Sequence, residues 1–153
     1  MQLSSCLLDT NILVRITRSQ SSAYPEVSGA VERLLSAGAT LFYTHQNIAE
    51  MWNVMTRPAN ANGLGLEFDQ ADAEVQAIER SMRLLPEANM AYQYWRQLLV
   101  QYKVRGVQVH DARLVATMLA NGSRHMLTLN VSHFTRFSEI VAIHPRAVLH
   151  RSQ

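Results

Sequence analysis

The chain has 153 residues, 48% hydrophobic and 17% charged, which suits one globular domain with its own core. No apolar run approaches the roughly 20 residues of a membrane-spanning helix, and a single cysteine, Cys6, excludes an intrachain disulfide and a cysteine-rich zinc site. The net charge of +2 excludes nothing, but thirteen arginines against one lysine, Lys103, supply forks suited to phosphate, a bias that a GC-rich gene would also produce.

In chain order, residues 3–8 read as a first strand and 11–17 as a short helix or a strand-to-helix elbow. Residues 25–36 predict a helix, with Pro25 in its first turn, apolar Val27, Ala30, Val31, Leu34 and Leu35, and Gly38 as its stop. A second strand spans 40–43, and Thr44 can cap a helix over 45–55. The Pro, Asn and Gly of 57–66 mark a loop. Asp69 can cap a helix running to about Met82, followed by a third strand at 82–85 that Pro86 ends. A helix rich in aromatics spans 90–102, and another starts at Val109 or His110 and stops at Asn121-Gly122. A strand at 125–128, a turn or short helix at 131–137 and a last strand at 140–143 complete the pattern. Alternating short strands and amphipathic helices predict an α/β fold with a mostly parallel sheet. The N-terminus lacks a basic leader, and removal of a signal peptide would delete Asp9, so a cytoplasmic protein is expected. Cys6, in an apolar run, reads as a buried, inert thiol.

Three acids interrupt apolar stretches. Asp9 follows Ser5-Cys6-Leu7-Leu8, Glu50 lies within 48–55, and Asp111 precedes 112–119. The chain has only four Asp, and two of them occupy such positions. An acid there is costly unless it is paired, hydrogen-bonded or bound to a cation. Parallel sheets bind ligands at the carboxyl ends of their strands. Asp9, segment 44–50 and Asn130 each follow a predicted strand, and Asp111 opens a helix, so four distant segments converge on one rim. Clustered carboxylates are hard donors suited to Mg²⁺ or Mn²⁺. With no His-Glu-x-x-His, Gly-x-Ser-x-Gly, Walker A or Gly-x-Gly-x-x-Gly sequence, the remaining chemistry is metal-assisted hydrolysis, most naturally of a phosphodiester. The plainer readings make Asp9 and Asp111 helix caps and Glu50 a solvated acid on a polar helix face.

At these acids the chain resembles a known family. Leu7-Leu8-Asp9-Thr10-Asn11-Ile12-Leu13 resembles the opening motif of PIN-domain ribonucleases. Asn47-Ile48-Ala49-Glu50-Met51-Trp52-Asn53-Val54, followed by Thr56-Arg57-Pro58, resembles their second motif. Val109-His110-Asp111-Ala112-Arg113-Leu114-Val115-Ala116 resembles the third, and Leu127-Thr128-Leu129-Asn130-Val131-Ser132-His133-Phe134 the fourth. Each motif alone is weak; four in order, over nearly the whole chain, are specific. The length and the absence of extra domains resemble the VapC-like toxins of bacterial toxin–antitoxin pairs.

The resemblance implies a single domain over 1–150, a three-layer α/β/α sandwich with a mostly parallel sheet of four to five strands. It implies Mg²⁺ or Mn²⁺ held by Asp9, Glu50 and Asp111, and hydrolysis of RNA by in-line attack of water on phosphorus. Thr10 and Asn11 would orient Asp9 or reach a water, and Thr128 would hydrogen-bond near the metal or the phosphate. A homodimer, and an antitoxin whose tail covers the acidic rim, are implied as well. The chain departs from the family at Asn130, where the fourth motif often carries Asp, and at His133, where many relatives carry another. Asn130 offers an amide oxygen without charge, and three carboxylates favour one metal. His110 and His133 flank the site as phosphate contacts or proton carriers, and Arg57 and Arg113 are candidate RNA contacts. Trp52, Tyr92, Tyr94 and Trp95 read as core or dimer contacts rather than base-stacking platforms. The leading expectation is therefore a metal-dependent endoribonuclease. A PIN domain that binds RNA or protein without cleaving competes with it. A phosphatase or DNA nuclease on a similar scaffold is a third reading, weakened by Asn11 where a phosphatase of the haloacid-dehalogenase type needs a second Asp. The RNA target is not legible; specificity would lie in groove shape and in loops such as 57–68.

Overall fold

The computed structural model describes residues 3–150. Five strands, β1 (Ser5–Leu8), β2 (Thr40–Tyr43), β3 (Arg83–Leu84), β4 (His125–Leu127) and β5 (Val141–Ile143), form one sheet in the order β3-β2-β1-β4-β5. Every pairing is parallel, with Cys6 opposite Leu41, Leu7 opposite Met126 and His125 opposite Val141. Parallel neighbours need crossovers, which helices mostly supply. The pair α1 (Thr10–Ile16) and α2 (Tyr24–Ser36) joins β1 to β2, and α3 (His45–Thr56) with α4 (Phe68–Ser81) joins β2 to β3. The pair α5 (Ala91–Gln101) and α6 (Gln108–Ala120) carries the chain back past β1 to β4. A 3₁₀ turn at Val131–His133 precedes β5, and α7 (Pro145–His150) follows it.

The run Cys6-Leu7-Leu8 is uniformly apolar because both faces of the sheet are covered. Successive side chains point to opposite faces. Cys6 and Leu8 enter one core with Ile12 and Leu13 of α1, Val27 of α2, and Met51 and Met55 of α3. Leu7 enters the other with Met126, Leu98 of α5, Val115 and Met118 of α6, and Phe134. The result is the expected three-layer sandwich. Trp52 packs against the first core and Tyr94 and Trp95 against the second, while Tyr92 is exposed. Cys6 is fully buried, and burial pushes its thiol up to about 12, which leaves it inert.

Several boundaries differ from the expectation, each for a physical reason. The ambiguous 11–17 stretch is helical from Thr10, because the Asp9 side chain accepts the Thr10 N–H and caps it. Helix α4 starts at Phe68 rather than at an Asp69 cap; Gln70 Oε1 reaches back to the Glu67 N–H at 3.0 Å, and Asp69 falls in the first turn, where its charge meets the positive helix end. Helix α6 starts at Gln108, so Asp111 lies inside it and is not its cap. Helix α7 had no counterpart in the sequence reading. It is opened by an uncommon cap, His144 Nδ1 accepting the Arg146 N–H at 3.2 Å, and is held by packing against α2, where Val148 is buried and Arg33 donates to the Leu149 carbonyl at 3.0 Å.

Candidate metal centre

The sheet order reverses between β1 and β4, the place where an open α/β sheet splits its loops and leaves a crevice. The two strand ends are tied there by the Asp9 N–H donating to the Leu127 carbonyl at 2.9 Å. Asp9 is only 8% exposed, yet each carboxylate oxygen is supplied with donors. The Thr10 N–H reaches Oδ1 at 2.8 Å, and Asn11 Nδ2 and Thr128 Oγ1 reach Oδ2 at 3.2 and 2.7 Å. Asn11 Oδ1 accepts the Leu129 N–H at 3.1 Å, and Thr128 Oγ1 accepts the Asn130 N–H at 3.0 Å. Asp9 thus serves as helix cap and site acid at once.

Glu50 is positioned from the other side. Thr44 begins α3 with a capping box in which Thr44 Oγ1 accepts the Asn47 N–H at 3.0 Å and Asn47 Oδ1 accepts the Thr44 N–H at 2.9 Å. That fixes Asn47, whose Nδ2 donates to Thr10 Oγ1 at 3.1 Å, and Thr10 Oγ1 donates to Glu50 Oε2 at 2.7 Å. Gln46 Nε2 bridges Glu50 Oε1 at 2.7 Å and the His110 carbonyl at 2.9 Å. Thr10 therefore supports both acids, one through its backbone and one through its hydroxyl.

Asp9, Glu50 and Asp111 line one open cavity of about 610 Å³, together with Thr10, Asn11 and Asn130. His133 lines it too, with Nδ1 3.8 Å from Asp111 Oδ2. Burial, the largest effect, pushes the Asp9 carboxyl above the usual carboxylate range against the pull of Thr128 and Thr10, and the charge of Glu50 adds to the rise. Burial also raises Asp111, and the charges of Asp9 and Glu50 raise it further. Three converging, mutually repelling oxygen donors fit a hard divalent cation. Among the described residues no three acid, histidine or cysteine side chains already close around one point.

The other expected residues are scattered. Arg113 forms a two-pronged pair with Glu87, at 2.8 and 3.1 Å, and lines not the acid cavity but a neighbouring one that shares Glu50. Arg57 donates to the Asn62 carbonyl at 2.8 Å and organises its loop without lining the cavity. His110 lines a neighbouring cavity that shares Glu50. Sequence reasoning passed over Gln46 and Asn47 as supports, and Arg15 and Arg18, which line the same cavity as the acids. The four-residue spacing of Asn11 and Arg15 was an available signal, since it places them on one face of α1.

The family model of the PIN domain matches residues 6–140, and the chain belongs to the PIN domain family. Solved structures with the same fold include VapBC2 from Rickettsia felis bound to a DNA fragment from their promoter, with a TM-score of 0.70, 15% identity, and coverage of 92% of this chain and 98% of that one. VapBC-1 from nontypeable Haemophilus influenzae is similar at a TM-score of 0.68 and 16% identity, covering 93% and 98%. VapC20 from Mycobacterium tuberculosis, a sarcin–ricin loop cleaving toxin, has a TM-score of 0.55 and 17% identity, covering 79% and 86%. No curated protein sequence matches the chain.

Proposed function

We propose that this chain is a metal-dependent endoribonuclease, the toxin of a toxin–antitoxin pair. The observation that carries the reading is the convergence of Asp9, Glu50 and Asp111 on one cavity, Asp9 and Glu50 held by neutral donors that leave room for a cation. A bound Mg²⁺ or Mn²⁺ would supply activation of water and neutralisation of phosphoryl charge. Asp9, Glu50 and Asp111 would hold it, and their supporting hydrogen bonds keep the oxygens aimed before substrate arrives. Asn130 offers an uncharged oxygen, so three carboxylates support a single metal. His133 lines the same cavity, where a ring N–H can donate to a phosphate oxygen.

The likeness to VapC20 supports RNA as the substrate, and the likeness to VapBC complexes supports a cognate antitoxin. The reading implies a cytoplasmic protein. It also implies a homodimer. An apolar cavity of about 550 Å³ lined by Tyr92, Trp95 and Val109, with exposed Val107 near it, is the face we assign to the partner copy. Light scattering of the purified chain tests that assignment.

The central test is cleavage of total cellular RNA with Mn²⁺ or Mg²⁺, beside Asp9→Asn and EDTA controls. Discrete fragments from the wild type alone support the reading. No cleavage by folded protein free of antitoxin overturns it, and leaves a PIN domain that binds RNA or protein without cutting, with Asn130 in place of a fourth acid as the reason.

A further inference from the structure

Arg15 and Arg18 line the same cavity as the three acids, and among the described residues neither guanidinium makes an ion pair or a hydrogen bond. Arg15 lies on the face of α1 that begins at Asn11, about 6 Å farther along the helix direction, and Arg18 lies two residues past the end of α1. The turn persists past the end of α1, with the Arg18 N–H donating to the Arg15 carbonyl at 3.1 Å. A second cavity, about 690 Å³, lies between segment 17–20 and α4 and shares Arg18, Ala59, Gly63 and Leu64 with the first. One groove therefore leads outward from the acids, with Arg18 at its junction.

An acidic cavity repels a polyanion, most strongly where no cation covers the acids, so a nucleic-acid strand needs positive charge beside it, and in EDTA its binding rests on that charge. Arginine forks match phosphate oxygens two at a time. We propose that Arg15 and Arg18 grip backbone phosphates of single-stranded RNA next to the scissile bond and direct that strand along α1 into the groove against α4. This rests on the ribonuclease reading.

The test is fluorescence anisotropy of a short fluorescein-labelled single-stranded RNA of mixed sequence with the full chain in EDTA, at about 50 to 200 mM salt. Arg15→Gln and Arg18→Gln each weaken binding roughly five- to tenfold and flatten the slope of log affinity against log salt by about 0.7. Arg105→Gln, which removes the same charge from an exposed position outside the cavity, changes neither. Arg15→Lys keeps the salt slope but not the full affinity, because the fork is lost. Arg15 and Arg18 variants that behave like Arg105→Gln overturn the proposal, while wild-type RNA cleavage leaves the ribonuclease reading standing. Unchanged RNA binding with lost retention of a co-expressed neighbouring-gene protein also overturns it, in favour of a protein contact. A wild type that neither binds nor cleaves RNA removes the ribonuclease reading and this one together.

Discussion

Asp111 is half-buried, it faces the charges of Asp9 and Glu50, and among the described residues no hydrogen-bond donor reaches its carboxylate. Its folded-state pKa is raised above the ordinary 3.8, so the folded protein holds that proton to higher pH than the unfolded chain does. The contribution to stability therefore falls as pH rises through the interval above 3.8, and the penalty persists at neutral pH. Asp111→Asn should raise the melting temperature in EDTA at pH 7, with the gap to wild type closing as pH falls towards 4, while cleavage drops by more than about 100-fold. Equal melting temperatures at pH 7 would contradict this account of the site's electrostatics. Thr128 carries the opposite kind of constraint. Its fully buried hydroxyl donates to Asp9 and accepts from Asn130 and Asn11, so Thr128→Val leaves these groups short of partners. A loss of about 1–3 kcal/mol in urea unfolding is expected. Of the residues read from the sequence, Asp9, Glu50, Asp111 and Asn130 line one cavity; Asp9 and Asn130 follow strands, Asp111 lies in the first turn of α6, and Glu50 lies midway along α3, elements whose apolar pattern is visible. Arg57 and Arg113 do not join them, since a long side chain is placed by whichever acceptor it meets, Asn62 and Glu87 here, and that acceptor comes from the fold or from a loop conformation that local pattern leaves open.

At the scale of elements, the loop after α3 forms one wall of the cavity and is tightly built. Leu64 and Leu66 donate to the Val54 and Met55 carbonyls at 2.9 and 2.8 Å, which folds the loop back on the helix end. Gly63 passes so close to Arg57 that an added Cβ would lie 1.8 Å from the Arg57 carbonyl oxygen. Gly63→Ala must displace backbone, and should cost about 1–3 kcal/mol. Hydrogen exchange at the Leu64 and Leu66 amides reads the displacement, and unchanged protection there would show that the wall tolerates a side chain. The loop itself was legible from its Pro, Asn and Gly and was expected to shape the groove, but the bonds that fold it back on α3 were not. The capping box at Thr44 was half legible: Thr44 announced the start of α3, whereas the onward bond from Asn47 to Thr10 depends on α1 lying beside α3.

For the whole molecule, the acids impose a penalty that a cation at the proposed site would offset. Binding only to the folded state stabilises it, by about 2.7 kcal/mol at a hundred times the dissociation constant. Mn²⁺ should therefore raise the melting temperature of the wild type in a concentration-dependent way, and Asp111→Asn should respond far less. Calorimetric melts across an Mn²⁺ series check this, and an equal shift in both proteins would place the cation elsewhere.

The sequence by itself determined the layers, the parallel sheet and the acids of its rim, because apolar periodicity records which side of each element is buried and Asp9 and Glu50 stand out against it. Tertiary structure alone decided which polar groups meet at that rim. It brought β4 next to β1 so that Thr128 reaches Asp9, set Arg15 and Arg18 in the lining of the acids' cavity, and docked α7 on α2. Those choices depend on contacts between segments more than a hundred residues apart or on where an exposed side chain finds space, and neither is written in local pattern.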